Sequence, residues 1–297
     1  MRKLRHVLPG NTYLITKKCV LDEFVIAPSP KVNEVLLYCL LVAARKHQFG
    51  VHGFCFMSNH FHLVVTDRRG TLPDFMRHFL TNTSKALNCV LKRSGPIWSS
   101  ERYSAVQLLD LDAAERKLAY TILNPVRAGL CPRPLEWPGL TSASWECGEE
   151  IHCRRPRAHF RSTVAFPEEI SGTLESVAIV FQSEEDGTRA RIEELVRQAL
   201  REHRRDSKGN PRRYPTEKSL RSTSRRSRGE KTVRSLNPRF ASKNSALLES
   251  AISADRFFHA EHRAAKSAWI AGDRNVTFPP GTYGYARFFG AKVRHAA

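Results

Sequence analysis

The run Phe54-Cys55-Phe56-Met57-Ser58-Asn59-His60-Phe61-His62-Leu63-Val64-Val65 constrains the chain more than any other stretch. Its apolar, aromatic and β-branched content predicts strand on both sides of Met57-Ser58-Asn59, hence a hairpin. Side chains alternate along a strand. His60 and His62 therefore share one face, while Phe61, Leu63 and Val65 point the other way into a core. Two imidazoles held at a fixed separation suit a divalent metal. A solvated polar face is the other reading, and the rest of the sequence has to decide between them.

The segments around the hairpin supply an order. Behind Pro9-Gly10, Asn11 to Thr16 reads as a strand, and Lys31 to Gln48 as a helix with Val32, Val35, Leu36, Cys39, Leu40, Val42 and Ala43 at helical spacing. Val51 to Phe56 and His60 to Thr66 form the hairpin. Leu72 to Leu91 is the second helix, with Thr71 as its expected N-cap, and Ser104 to Leu109 a fourth strand. Strand, helix, strand, strand, helix, strand is the ferredoxin-like order. The expected fold class is α+β: an antiparallel sheet with two helices on one face and the other face open to a site. A third helix, capped by Asp112 and running from Ala113 toward Leu123, places Tyr120 and Asn124 one turn apart.

Beyond residue 145 the character changes. Arg154, Arg155, Arg157 and Arg161 make a basic loop, and an amphipathic helix lies within 183–205. Residues 206–240 are rich in Arg, Lys, Ser, Pro and Gly, which predicts a flexible basic linker. Ser245 to Ile270 reads as a helix within a C-terminal segment, 241–297. The extension as a whole is expected to be mainly helical or partly disordered. A formal net charge of +19 and a pI near 10.1 make a polyanion the expected partner, bound through counterion release. No apolar run approaches the ~18 residues of a membrane span, and no signal-peptide core follows the N-terminal Met1-Arg2-Lys3. A soluble, cytoplasmic protein without membrane partners is expected. The seven cysteines lack paired short spacing and read as reduced thiols; Cys147, His152 and Cys153 have no second pair to complete a zinc site.

A histidine pair on a strand, a later helical tyrosine with an amide four residues on, and a basic chain point to DNA cleavage through tyrosine. No phosphate loop of the Gly-x-x-x-x-Gly-Lys-Ser/Thr type occurs, so no nucleotide cofactor is expected. Pro9-Gly10, Met57 to Val65, Trp98 with Arg102-Tyr103, and Tyr120 to Leu130 occur in the order and spacing of one family. On these motifs residues 1–145 resemble the REP-associated tyrosine transposases, relatives of the IS200-like single-strand transposases in the HUH endonuclease superfamily.

The resemblance implies metal-dependent cleavage and joining of single-stranded DNA at hairpins of repetitive extragenic palindromes, through a covalent 5′-phosphotyrosine. It implies Tyr120 as nucleophile and His60, His62 and Asn124 as ligands of Mg²⁺ or Mn²⁺. At the position of Asn124, insertion-sequence relatives often carry Gln. Each residue has a plainer alternative: Tyr120 packs, and Asn124 ends its helix before Pro125. Tyr103 is a rival nucleophile without an amide partner. Trp98, Arg102, Arg127 and Lys85 are candidate DNA contacts; for Trp98, Phe54 and Phe56 base stacking and core packing are both open, with core packing at least as strong a reading. The other class of function is a non-catalytic hairpin-binding regulator on the same scaffold. A monomer and a homodimer are both compatible with the resemblance.

Overall fold

In a computed structural model, residues 4–157, 159–161, 163–205, 209–229 and 238–294 are described. Strand β1 (Asn11–Lys18) sends Tyr13 and Ile15 into a large apolar cluster on one side and Leu14 into a smaller one on the other. Both faces of the sheet are thus covered. Helix α1 (Pro30–His47) starts behind Ser29, whose hydroxyl accepts the Val32 amide at 3.4 Å. It lays Val32, Leu36 and Leu40 on the Tyr13 side. β2 (Phe49–Phe56) and β3 (His60–Asp67) form the expected hairpin, closed where the Met57 amide donates to the His60 carbonyl at 2.8 Å.

Helix α2 (Leu72–Val90) packs beside α1 on the same face through Phe75, Phe79 and Leu87. Thr71 sits at its N-cap position, but its side chain makes no capping bond. The buried Asp67 carboxylate accepts the Thr71 and Leu72 amides instead, at 3.0 and 2.7 Å. A carboxylate from the preceding strand is the stronger acceptor there. β4 (Ser104–Leu108) pairs antiparallel with β1, and the order β2-β3-β1-β4 is the ferredoxin-like arrangement predicted from the sequence.

The opposite face receives α3 (Leu111–Ile122), which continues almost directly into the short α4 (Asn124–Arg127). Its cap is Asp110, which accepts the Ala113 amide at 2.7 Å, and not Asp112. Asp112 lies in the first turn and pairs with Arg116, one turn on. Either aspartate fits a sequence-level cap, and the extended backbone at Asp110 decides.

The C-terminal half folds onto this core. β5 (Glu150–Arg154) and β6 (Glu169–Thr173) form a second hairpin that sets Ile151, Cys153 and Ile170 into the large cluster. α5 (Val177–Val180) and α6 (Glu185–Glu202) lie along α3. Within the expected linker, 206–208 and 230–237 lie outside the described residues. Residues 209–229 are not an open tether. α7 (Glu217–Ser222) buries Leu220 beside Leu123 and Val126, and Arg225 donates to the Val25 and Ala27 carbonyls at 2.7 and 3.1 Å. Hydrogen bonding by guanidinium and backbone fixes this stretch where apolar residues are few.

Strand β7 (Phe240–Ala241) joins the sheet parallel to β4. α8 (Ser245–Ile270), capped by Asn244, spans the range that the periodicity predicts, and α9 (Gly284–Phe289) follows. Among the described residues no helix is long and apolar enough to cross a membrane. Cys153 is buried in the large cluster, whereas Cys147 is exposed.

Candidate active site

Alternation along β3 turns His60, His62 and Val64 toward α3 while Phe61, Leu63 and Val65 enter the large core. The His60 and His62 ring centroids are 5.0 Å apart, edge to face. Across the sheet Thr16 lies directly opposite His62, and its hydroxyl is 2.8 Å from His62 Nδ1. His62 is 5% exposed, and its Nε2 is buried without a hydrogen-bond partner. A buried imidazole nitrogen left in that state costs on the order of 1–3 kcal/mol. With Nδ1–H donated to Thr16, Nε2 presents a lone pair, the form a metal ion takes. His60 is held from its own turn, with Nδ1 2.7 Å from Asn59 Oδ1.

The tyrosine helix closes over this pair. The Tyr120 ring centroid is 5.3 Å from that of His62, and the Asn124 carboxamide adjoins His60. Asn124 opens α4 in helical register with Tyr120, so the turn of helix between them is kept across Leu123. Tyr120 is half-buried, whereas Asn124 is 8% exposed. Lys117 Nζ and Arg127 Cζ lie 5.8 and 5.4 Å from the Tyr120 ring centroid. The four residues expected to form the site therefore converge on one face, in a positively charged setting suited to a phosphodiester. His60, His62 and Asn124 fit a metal ion: two neighbouring imidazoles, one with an unsatisfied buried nitrogen, and an amide beside His60 supply the donor types.

The candidate DNA contacts separate. Arg127 is beside Tyr120. Trp98 is not a base-stacking surface: it is 7% exposed, lies edge-on to Phe61 at 5.2 Å, and its indole N–H donates to Thr83 Oγ1 at 3.0 Å. Phe54 and Phe56 are likewise core residues, each 1% exposed. Lys85 is exposed on α2, on the sheet face away from Tyr120. Arg102 and Tyr103 face the α2 side as well, so Tyr103 is no rival to Tyr120.

No protein-family model and no curated protein sequence matches the chain. Among the solved structures similar to it are two with transposase descriptions. One is a REP-associated tyrosine transposase bound to a REP hairpin, at 14% identity and a TM-score of 0.41, over 48% of this chain and 83% of that one. The other, from Deinococcus radiodurans R1 and described as a candidate transposase, has 16% identity and a TM-score of 0.27, over 36% and 85%. Both likenesses are too distant to assign a function, which has to rest on the side chains themselves.

Sequence reading missed Thr16, Asn59 and Lys117. Thr16 becomes legible only once the register sets it opposite His62, whereas Lys117 could have been found one turn before Tyr120. Thr16→Val is expected to release the His62 ring and weaken Mn²⁺ binding about 10–100-fold without unfolding the protein, as measured by calorimetric titration.

Burial pushes the His60 imidazole down to about 4, with Lys18 adding to the fall and the Asn124 carboxamide opposing it. Burial, then His60 and Lys117, holds His62 well below the ordinary 6.5. Both rings are neutral at pH 7. In the unfolded chain they take up protons near pH 6.5, but in the folded, metal-free protein His60 resists this until about pH 4 and His62 to well below its ordinary value. Their contribution to stability is full above about 6.5 and is lost progressively as the pH falls below that, by up to about 1.4 kcal/mol per pH unit for each ring. Urea midpoints at pH 7 and pH 5 should show that loss, with a shallower dependence in His62→Gln.

Proposed function

We propose that this protein cleaves and rejoins single-stranded DNA at hairpins through Tyr120. The observation that carries the reading is the approach of the Tyr120 ring to within 5.3 Å of His62, a ring with a buried, unpartnered Nε2. His60, His62 and Asn124 would hold a divalent ion, Mg²⁺ or Mn²⁺. When bound, such an ion polarises the scissile phosphate and offsets its developing negative charge.

The remaining chemistry belongs to the chain. Tyr120 Oη gives up its proton to water and attacks phosphorus. An O–P bond forms, the P–O3′ bond breaks, and the 3′-oxygen leaves with the electron pair and takes a proton from water. The products are a 5′-phosphotyrosine and a free 3′-hydroxyl. Attack by a 3′-hydroxyl on the tyrosyl phosphate reverses these bonds and joins strands, so no nucleotide need be consumed. Lys117 and Arg127 flank the ring where a non-bridging phosphate oxygen would collect negative charge. The net charge of +19 favours a nucleic acid over a small substrate. The hairpin preference, and DNA transposition as the setting, come from the motif resemblance.

The test is incubation with end-labelled hairpin DNA and Mn²⁺. A denaturation-resistant adduct that EDTA prevents is the expected result. Stable binding without adduct or cut, across metals and substrates, would leave the non-catalytic regulator in its place.

A further inference from the structure

We infer that Arg212, brought back by the C-terminal extension, grips a phosphate of the DNA strand held at Tyr120. This rests on the proposed reading that DNA is the substrate, and it assigns part of the binding surface to a segment beyond the 1–145 core.

The segment that carries Arg212 is tied to both sides of the site. The Arg212 amide donates to the Arg204 carbonyl at 3.0 Å and the Tyr214 hydroxyl to the His203 carbonyl at 3.4 Å, which fixes this stretch to the end of α6. α6 in turn packs along α3, and α7 buries Leu220 with Leu123 and Val126. At its far end the segment meets the turn that holds His60, where a Cβ added at Gly229 would stand 2.7 Å from Asn59 Nδ2. Residues 209–229 therefore run from the tyrosine helix to the histidine turn.

Arg212 itself lies on the turn that ends α4. Gly129 has a φ of +70°, and a Cβ there would be 3.1, 3.2 and 3.4 Å from Nε, Cζ and Nη2 of Arg212. Three guanidinium atoms at nearly one distance mean that the flat of the group covers the glycine. Only glycine combines that backbone angle with so close an approach. The N–H bonds of a guanidinium lie in its plane, so contact through its face leaves them free for a ligand. Arg127, two residues before Gly129, has its Cζ 5.4 Å from the Tyr120 ring centroid.

Charge decides what that ligand is. Arg212 is half-buried, yet among the described residues its guanidinium has no hydrogen bond or ion pair. Other arginines of the segment are committed: Arg221 to Glu217, Arg225 to two backbone carbonyls and Arg228 to Glu23. A partly desolvated cation without an internal partner favours an anion from outside. Guanidinium groups match phosphate oxygens in charge and in hydrogen-bond geometry. With Arg127 between Arg212 and the tyrosine, the strand bound at Tyr120 supplies that phosphate.

Binding of a labelled hairpin oligonucleotide to the full chain, followed by anisotropy in EDTA from about 50 to about 200 mM salt, tests the contact. Arg212→Gln breaks no internal bond and should unfold at the wild-type temperature. It is expected to weaken binding and to lower the slope of log K against log salt by about one phosphate contact. Arg212→Lys keeps the charge without the planar fork; it should hold the slope and lose about three- to tenfold in affinity. Arg45→Gln, an equal charge change at the exposed end of α1 on the other face of the sheet, should leave the slope unaltered. A wild-type slope in Arg212→Gln, or an equal loss in Arg45→Gln, overturns the proposal. So does an unaltered slope combined with calorimetric binding of inorganic phosphate that Arg212→Gln removes, since the group would then take a free ion. A lowered slope in Arg212→Gln, with no covalent adduct formed by the wild type, would sink the cleavage reading alone; an adduct with an unaltered slope would sink the Arg212 contact alone.

Discussion

Tyr120→Phe is expected to abolish the covalent protein–DNA adduct, lowering strand cleavage by about four or more orders of magnitude, while hairpin binding changes little. The substitution deletes one oxygen from a half-buried ring. Its edge contact with His62 and its place beside Lys117 and Arg127 stay as they are, so loss of folding cannot account for the effect. Electrophoresis after denaturation reads the adduct, and anisotropy reads the binding. Cleavage that survives in the variant would remove Tyr120 from its role. Tyr103 would not inherit it, because that ring lies against Arg5 on the other side of the sheet.

The second large effect is expected at His62. His62→Ala should reduce metal-dependent cleavage by a factor on the order of 10²–10³ and flatten its dependence on Mn²⁺ concentration. The imidazole is buried against Thr16 and carries the unpartnered nitrogen, so its removal takes away a ligand and the orientation built around it. His62→Gln keeps a polar side chain at the position, and its metal affinity should fall between wild type and alanine. Single-turnover cleavage at several Mn²⁺ concentrations separates a loss of metal affinity from a loss of rate at saturation. Wild-type dependence on Mn²⁺ in both variants would contradict the assignment of His62 as a ligand.

The convergence of His60, His62, Tyr120 and Asn124 was legible because each lies on an element with one strong period. His60 and His62 sit on a strand whose other face is Phe61, Leu63 and Val65, and Tyr120 and Asn124 are a helical turn apart. The core βαββαβ order was legible for the same reason. What escaped the sequence depends on partners distant in the chain. β7 has two residues, and only their pairing with Gln107 and Leu108 makes them a strand. β5 buries Ile151 and Cys153 alone among its five residues, too brief an alternation to stand out. For Trp98 the sequence left base stacking and core packing both open, because an indole in a polar loop suits either. The enclosure supplied by Phe61 and Thr83 is visible only in three dimensions. Asp67 as the cap of α2 likewise requires a carboxylate reaching forward out of a strand.

Both borders of the central sheet are occupied by later parts of the same chain. β7 lies along β4. Beside β2, Leu140 accepts the Phe56 amide and Val51 accepts the Glu175 amide, each at 2.8 Å. Open strand borders are templates for pairing between molecules, and closing them suppresses sheet-to-sheet assembly and aggregation. The C-terminal half therefore acts as a guard on the core's backbone. A fragment cut after residue 145 would keep every proposed catalytic side chain yet bare the whole of β4 and the Val51 end of β2, trading a self-contained sheet for an adhesive one.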